Sequence, residues 1–203
     1  MKIPNKKGDS QVKKMRARVG AFASPRHYHN YLLSRDYIKE SESRSDLQLQ
    51  PVGIIHSPFK ISQGTPLQPR MAESIRGTVE IFPPYKAGLK DLPGFERIWL
   101  IYWFHRAGPP QLLVAPYMDS KKRGLFATRA PCRPNPIGIS TVRLLSVRGC
   151  ILHVSDLDVL DGTPLLDIKP YVPKFDAYRV QRWGWLAKQA KDKAMAGSRF
   201  ERK

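Results

Sequence analysis

Cysteine is scarce in this chain, and several common functional motifs are missing. Two cysteines, Cys132 and Cys150, stand among 203 residues without the paired spacing of a zinc site. We therefore expect free thiols, a reducing cytoplasmic location and no bound metal. No apolar run reaches the length of a membrane-spanning helix, and the first residues lack a secretory pattern, so no membrane association is expected. The phosphate loop, the dinucleotide fingerprint and the serine elbow are absent, which argues against the common nucleotide-binding and hydrolase folds.

Acidic residues are also few, and this imbalance indicates the kind of partner. The chain has 35 Lys and Arg against 17 Asp and Glu, a formal net charge of +18. Such a charge favours a polyanion, because cations that neutralise phosphates release bound counterions. Nucleic acid is the expected partner, although a highly soluble surface or binding at a membrane surface would explain the same composition.

The pattern of the chain changes near residue 51. Residues 1–50 lack sustained periodicity and predict a basic, mostly disordered extension. Residues 51–175 contain short alternating or apolar stretches separated by turn residues, which predicts an all-β barrel or sandwich. The predicted strands lie at 51–59, 77–82, 97–105, 111–117, from about 124, and in a hairpin around 148–149. Helical spacing of apolar residues in 176–203 predicts a C-terminal basic helix and tail.

Polar residues cluster where these predicted strands end. His105 and Arg106 follow the most apolar strand directly, and Arg70 follows Pro69 in a long loop. Arg129 and Arg133 are so close in sequence that they repel each other unless an anion lies between them. That anion is either a carboxylate of this chain, Asp161 or Asp167, or a ligand phosphate or carboxylate.

A second cluster combines carboxylates with a glycine turn. Asp158 and Asp161 precede Gly162, which is free to take a positive φ. Paired carboxylates at such a turn can accept hydrogen bonds from ribose hydroxyls or an amine, or favour a cationic ligand.

Four long blocks, 51–60, 77–105, 124–140 and 156–171, resemble the TrmO family of S-adenosylmethionine-dependent tRNA methyltransferases. The resemblance covers about residues 50–175. It implies a small β-barrel with short helical insertions, a homodimer, and S-adenosyl-L-methionine bound near the subunit interface. It also implies methylation of N6 of threonylcarbamoyladenosine at position 37, in the tRNA anticodon loop.

The resemblance also assigns candidate site residues. The cofactor contacts that it implies are Pro69, Arg70, Met71, His105, Arg106, Arg129, Ile139, Asp158, Val159, Leu160 and Asp161. Many members have Gln where this chain has Met71 and Arg106. Arg129 and Arg133 are candidates for binding the threonyl carboxylate or the anticodon phosphates, and Asp161 and His105 are candidate proton acceptors.

Other functions fit the same barrel. A non-catalytic S-adenosylmethionine- or RNA-binding regulatory protein is the main alternative, because Arg106 departs from the family pattern. Methylation of another acceptor is a second. A nucleic-acid-binding barrel without a cofactor is a third, and it leaves the Asp158–Asp161 turn unexplained.

Overall fold

In the part of the chain that the computed structural model describes, residues 48–189 and 194–201, six antiparallel strands close into a barrel. Around the barrel their order is β1 (Gly53–His56), β2 (Gly77–Ile81), β7 (Ile151–Ser155), β6 (Ile137–Arg148), β3 (Arg97–Trp103) and β8 (Thr163–Pro170). The predicted all-β barrel is confirmed. The extension predicted for residues 1–50 lies outside the described residues, except for its last three.

Alternation of side chains along the strands builds the barrel core. In β3, Ile98, Leu100 and Tyr102 point inward and are at most 4% exposed, whereas the residues between them are only half-buried. Inward-facing branched residues of the other strands complete this core, as expected for a small barrel filled by its own side chains. A closed sheet has no free edge, so each of the six strands pairs with a neighbouring strand on both sides.

Two predicted strands are wrong in extent and place. Within 111–117, two residues pair as β4 (Leu113–Val114), and near 124 two residues pair as β5 (Arg123–Gly124). These form a separate two-stranded sheet, and the chain then turns into a 3-10 helix, Leu125–Ala127. Conversely, β8 was not predicted, although it closes the barrel by pairing with β1 and β3.

Short helical insertions are present as predicted, whereas the C-terminal helix is wrong for the described residues. The insertions are 3-10 helices at Pro69–Met71, Pro83–Leu89 and Leu92–Gly94. After β8 the chain forms one turn of α-helix, α1 (Pro173–Asp176), and a 3-10 helix, Gly184–Lys188. Gly184 has a φ of +62°, which an α-helix cannot accommodate. No helix among the described residues is long and apolar enough to cross a membrane.

Residues 194–201, which we call the C-terminal strap, pack against the loops beside the barrel. The amides of Gly64, Leu67 and Gly108 donate to the carbonyls of Ala196, Ala194 and Phe200 at 2.9, 3.0 and 3.0 Å. Phe200 is 6% exposed and packs in a second small core with Val114, Leu125, Ala130 and Cys132. This core holds the 124–133 loop and the strap together.

Candidate active site

A cavity of about 940 Å³ gathers segments that are far apart in the sequence. It lies between the rim of the barrel, the 124–133 loop and the C-terminal part of the chain. Its volume is at the upper end of the range for ligand pockets, roughly 300–1,000 Å³. The predicted site residues that line it are Arg70, Met71, His105, Arg106, Arg129, Arg133, Ile139, Asp158, Val159 and Leu160.

Pro69 and Asp161 are predicted site residues that the structure does not place in the cavity lining. One oxygen of Asp161 accepts from the Ser57 amide at 3.0 Å, and the other pairs with Lys60 Nζ at 2.5 Å. The Lys60 ammonium, together with the Ser57 amide, holds the pKa of Asp161 below its ordinary value. An ionised carboxylate engaged in this way is a poor proton acceptor, so the geometry does not support the catalytic role expected for Asp161.

Asp158 lies at the end of a hydrogen-bond chain that begins inside the barrel. Ser140 Oγ donates to Asp158 Oδ1 at 2.6 Å and lies 3.0 Å from the Tyr102 hydroxyl. Because the Ser140 proton is directed at the carboxylate, Tyr102 is the donor to Ser140. Burial raises the pKa of Asp158 to about 7, against the opposing effects of the Ser140 hydrogen bond and the Arg129 charge. Burial and the nearby Asp158 charge also raise the pKa of Tyr102, which therefore stays protonated.

His105 is neutral and oriented by its neighbours. Partial burial and the positive charge of Arg106 lower its pKa below the ordinary 6.5, against the opposing effect of a hydrogen bond to the Trp103 carbonyl. Its Nδ1 lies 3.4 Å from Thr163 Oγ1, whose own proton is donated to the Leu160 carbonyl at 2.7 Å. Thr163 therefore acts as an acceptor from Nδ1–H, which assigns the ring lone pair to Nε2.

Neither Asp161 nor Asp167 bridges Arg129 and Arg133, so the alternative of a carboxylate partner from this pair is wrong. Arg129 Nη1 donates to Gln68 Oε1. Arg133 donates to the carbonyls of Thr128 and Ala130 at 3.2 and 3.4 Å. Of the two expected partners, Asp161 pairs with Lys60, and Asp167 pairs with Lys169 at 2.9 Å. The exposed Arg129 guanidinium also lies near enough to Asp158 for its charge to lower the pKa of that carboxyl.

Sequence reasoning missed the aromatic wall of the cavity. Phe126 of the 124–133 loop and Trp183 and Trp185 of the C-terminal part line it, together with Phe200 of the strap. Trp185 Nε1 donates to the Ala127 carbonyl at 2.8 Å, and this bond ties the two segments together. The Trp-Gly-Trp triplet in an otherwise basic stretch is the sequence signal that marks this wall.

Comparison with known proteins identifies the family. Residues 54–177 match the model of the tRNA-methyltransferase O N-terminal domain. The chain belongs to this family. The stretch that matches contains all six barrel strands except the first residue of β1.

Relatives come from archaea, bacteria and animals. The chain is 57% identical over 153 residues to a probable S-adenosyl-L-methionine-binding protein of Pyrococcus abyssi (strain GE5 / Orsay), covering 74% of this chain and 83% of the relative. It is 33% identical over 147 residues to the human tRNA (adenine(37)-N6)-methyltransferase, covering 69% of this chain and 32% of the human protein. The crystal structure of TrmO from Pseudomonas aeruginosa matches with 40% identity and a TM-score of 0.58, over 68% of this chain and 62% of that one.

These matches confirm the family predicted from the four sequence blocks. They also confirm, at the level of the family, an enzyme class of methyltransferases and S-adenosyl-L-methionine as the cofactor. The chain spans about a third of the human relative and less than two thirds of the bacterial structure. In the described ranges, no group of three His, Cys, Asp or Glu side chains is arranged to hold a metal ion.

Proposed function

We propose that this protein is an S-adenosylmethionine-dependent methyltransferase that methylates N6 of threonylcarbamoyladenosine at position 37 of tRNA. The observation that supports it most is the single cavity into which residues 70–71, 105–106, 129 and 158–160 converge from separate loops. The human relative is named for N6 methylation of adenine 37, which agrees in position and atom. The threonylcarbamoyl group is the part that rests on the family resemblance and on Arg129.

The cavity residues fit the cofactor. S-adenosylmethionine supplies an activated methyl group on a positively charged sulfonium sulfur. Asp158 is a partly buried carboxylate whose pKa is raised by burial, and Ser140 is the side chain that hydrogen-bonds it among the described residues. A carboxylate in this setting favours a cationic ligand, because the ligand charge offsets the unfavourable burial of the ionised form. Apolar Met71, Ile139 and Val159 line the same cavity and suit the rest of a nucleoside.

His105 is the proton acceptor in this proposal, in place of Asp161. Methylation leaves a proton on the acceptor nitrogen that must be removed. The Nε2 lone pair of His105 is available because Thr163 holds the ring proton at Nδ1. A pKa lowered by burial and by Arg106 keeps the ring neutral at neutral pH. The chain's main contribution is to hold the acceptor base and the methyl donor in line.

Arg129 is the proposed partner of the substrate's negative charge. Its guanidinium is exposed, lines the cavity, and donates one hydrogen bond to Gln68, which leaves further N–H groups for a carboxylate. A threonyl carboxylate or a phosphate of the anticodon loop can accept hydrogen bonds from these N–H groups. Arg133 is held by backbone carbonyls and adds positive charge behind it.

We also propose a cytoplasmic homodimer. The outer faces of β3 and β6 bring Ile101 opposite Ile139 and Trp103 opposite Ile137, and Ile137 and Ile139 are 39% and 48% exposed. Apolar pairs on the outside of a closed barrel suit a second copy of the chain. Ile137 and Ile139 also line the cavity, so this interface would adjoin the cofactor.

Transfer of labelled methyl groups tests the function directly. The protein is incubated with labelled S-adenosylmethionine and with tRNA that carries or lacks the threonylcarbamoyl group. Label in the modified tRNA alone supports the full proposal, and label in both shows that transfer does not require the threonylcarbamoyl group. Binding of the cofactor by calorimetry without any transfer would instead favour the non-catalytic binding protein, for which Arg106 is the supporting feature.

A further inference from the structure

Two aromatic side chains stand exposed at the mouth of the cavity. Phe126 is 78% exposed and Trp183 is 59% exposed, and both line the cavity. We call Phe126 and Trp183, with the neighbouring Arg129 and Arg133, the aromatic rim. Exposing so much apolar surface beside a polar site is unfavourable in isolation, so the rim is expected to contact a ligand.

The rim is supported by anchors on both sides, one buried and one hydrogen-bonded. Phe126 lies on the 3-10 helix Leu125–Ala127, whose Leu125 is 1% exposed in the second core. The Arg133 guanidinium lies 5.6 Å from the centre of the Phe126 ring. Trp183 precedes Trp185, which donates to the Ala127 carbonyl and lies 5.5 Å from the Arg123 guanidinium. The two exposed rings are therefore carried by segments that are bonded to each other.

We propose that the aromatic rim is a stacking surface for the unpaired nucleotides that flank the methylated adenosine in the tRNA anticodon loop. The proposal rests on the proposed function for its substrate, and it assigns a role to Trp183, which follows the residues 54–177 that match the family. Arginine beside aromatic rings, on a chain with a net charge of +18, matches the chemistry of single-stranded RNA.

The need for such a surface follows from the reaction. A base has to leave the stack of the loop before its N6 can enter a cavity, and its neighbours then lose a stacking partner. An aromatic ring replaces that partner without regard to sequence, because every base has a π face. Each such contact contributes about 1–3 kcal/mol, which corresponds to roughly a 5- to 150-fold effect on RNA affinity.

The experiment uses the full chain with Trp183→Ala and Phe126→Ala. Affinity is measured by fluorescence anisotropy for an RNA hairpin with the sequence of an anticodon stem-loop, and for a fully paired duplex of the same stem. Cofactor affinity is measured in parallel by calorimetry. Phe175→Ala and Tyr178→Ala are matched controls, since these rings are 67% and 82% exposed but do not line the cavity.

We expect each rim variant to lose about 10-fold or more in affinity for the hairpin, with little change for the duplex and a smaller loss for the cofactor than for the hairpin. Trp183→Phe should recover most of the affinity, because it keeps a π face. Hairpin affinities equal to wild type in both alanine variants would overturn the proposal. The proposal would also be overturned if the alanine variants sedimented as monomers, the wild type as a dimer, and RNA affinity did not change. That result would show that the rim is a subunit contact. A wild-type protein that binds the hairpin through these rings yet transfers no methyl group would refute the proposed function alone.

Discussion

Asp158 and Asp161 belong to one sequence signature, yet the structure gives them opposite environments. Asp158 lines the cavity, and burial raises its pKa to about 7. Asp161 pairs with Lys60 and the Ser57 amide, and its pKa is lowered. The second carboxylate joins the turn before β8 to the segment after β1. We therefore propose that Asp158 binds the cationic ligand and that Asp161 has a structural role, because their surroundings differ.

Among changes to residues that line the cavity, His105→Gln should have the largest effect on turnover. Loss of the proton acceptor should lower kcat by about 1,000-fold, within the range usual for general bases. Cofactor affinity should change little. In the wild type at saturating cofactor, the rate should fall as pH decreases through the lowered pKa of His105. Rapid-quench transfer assays across pH measure both effects, and a variant with near-normal kcat would exclude His105 as the base.

Asp158→Asn should reduce cofactor affinity by about 100-fold, because a buried charge partner of the sulfonium is lost. Calorimetric titration with S-adenosylmethionine measures this loss of affinity. Asp161→Asn is the matched control, since it makes the same chemical change at a residue outside the cavity lining. Equal losses in the two variants would contradict the division of roles.

Arg129→Ala should lower kcat/KM for modified tRNA by about 10-fold, since one charged hydrogen bond to the substrate is removed. Turnover on tRNA without the threonylcarbamoyl group should change less if the carboxylate is the partner. Thermal unfolding serves as a check, because the exposed Arg129 bonds only the side chain of Gln68 among the described residues.

The unliganded protein should lose stability as pH rises from about 4 to about 7 through the contribution of Asp158. Its folded-state pKa of about 7 is above the ordinary value of 3.8, so the folded state binds the proton more tightly than the unfolded state does. This stabilising contribution is fully present below the ordinary pKa of 3.8, and it is lost as the pH rises through the folded-state pKa of about 7. Denaturant titrations of wild type and Asp158→Asn at several pH values isolate this difference.

Asp161→Asn should have the smallest effect on activity, less than about 2-fold. It should lower the free energy of unfolding by less than about 1 kcal/mol, because the pair with the exposed Lys60 is well solvated. In the wild type, the stability that Asp161 contributes should be lost in acid, as the pH falls from the ordinary pKa of 3.8 through the lowered folded-state pKa. A large loss of transfer in this variant would return Asp161 to the site.

Alternation predicted the strands whose two faces differ, and it failed where pairing depends on distant partners. The β6–β7 hairpin around Gly149 and the apolar β3 follow from local pattern alone. In contrast, β8 contains Pro164 and Pro170 and becomes a strand through pairing with β1 and β3. The periodic spacing of Tyr178 and Trp183 predicted a helix, but Gly184 with its positive φ interrupts the segment.

Most of the site residues could be predicted because they lie within the four sequence blocks that resemble the family. Which residues face the cavity depended on contacts between segments that no local pattern contains. Lys60 pairs with Asp161 across 101 positions of sequence, and Trp185 reaches the Ala127 carbonyl across 58. Single-sequence reasoning could identify the chemistry of these side chains but not these pairings.

The strap also bears on how the chain can be shortened or tagged. Residues 194–201 follow the last barrel strand by more than twenty positions, and Phe200 and Glu201 line the cavity. A truncation after β8 would therefore keep every barrel strand in the chain and remove part of the pocket wall. An affinity tag fused next to the strap is, for the same reason, a poor choice for binding assays.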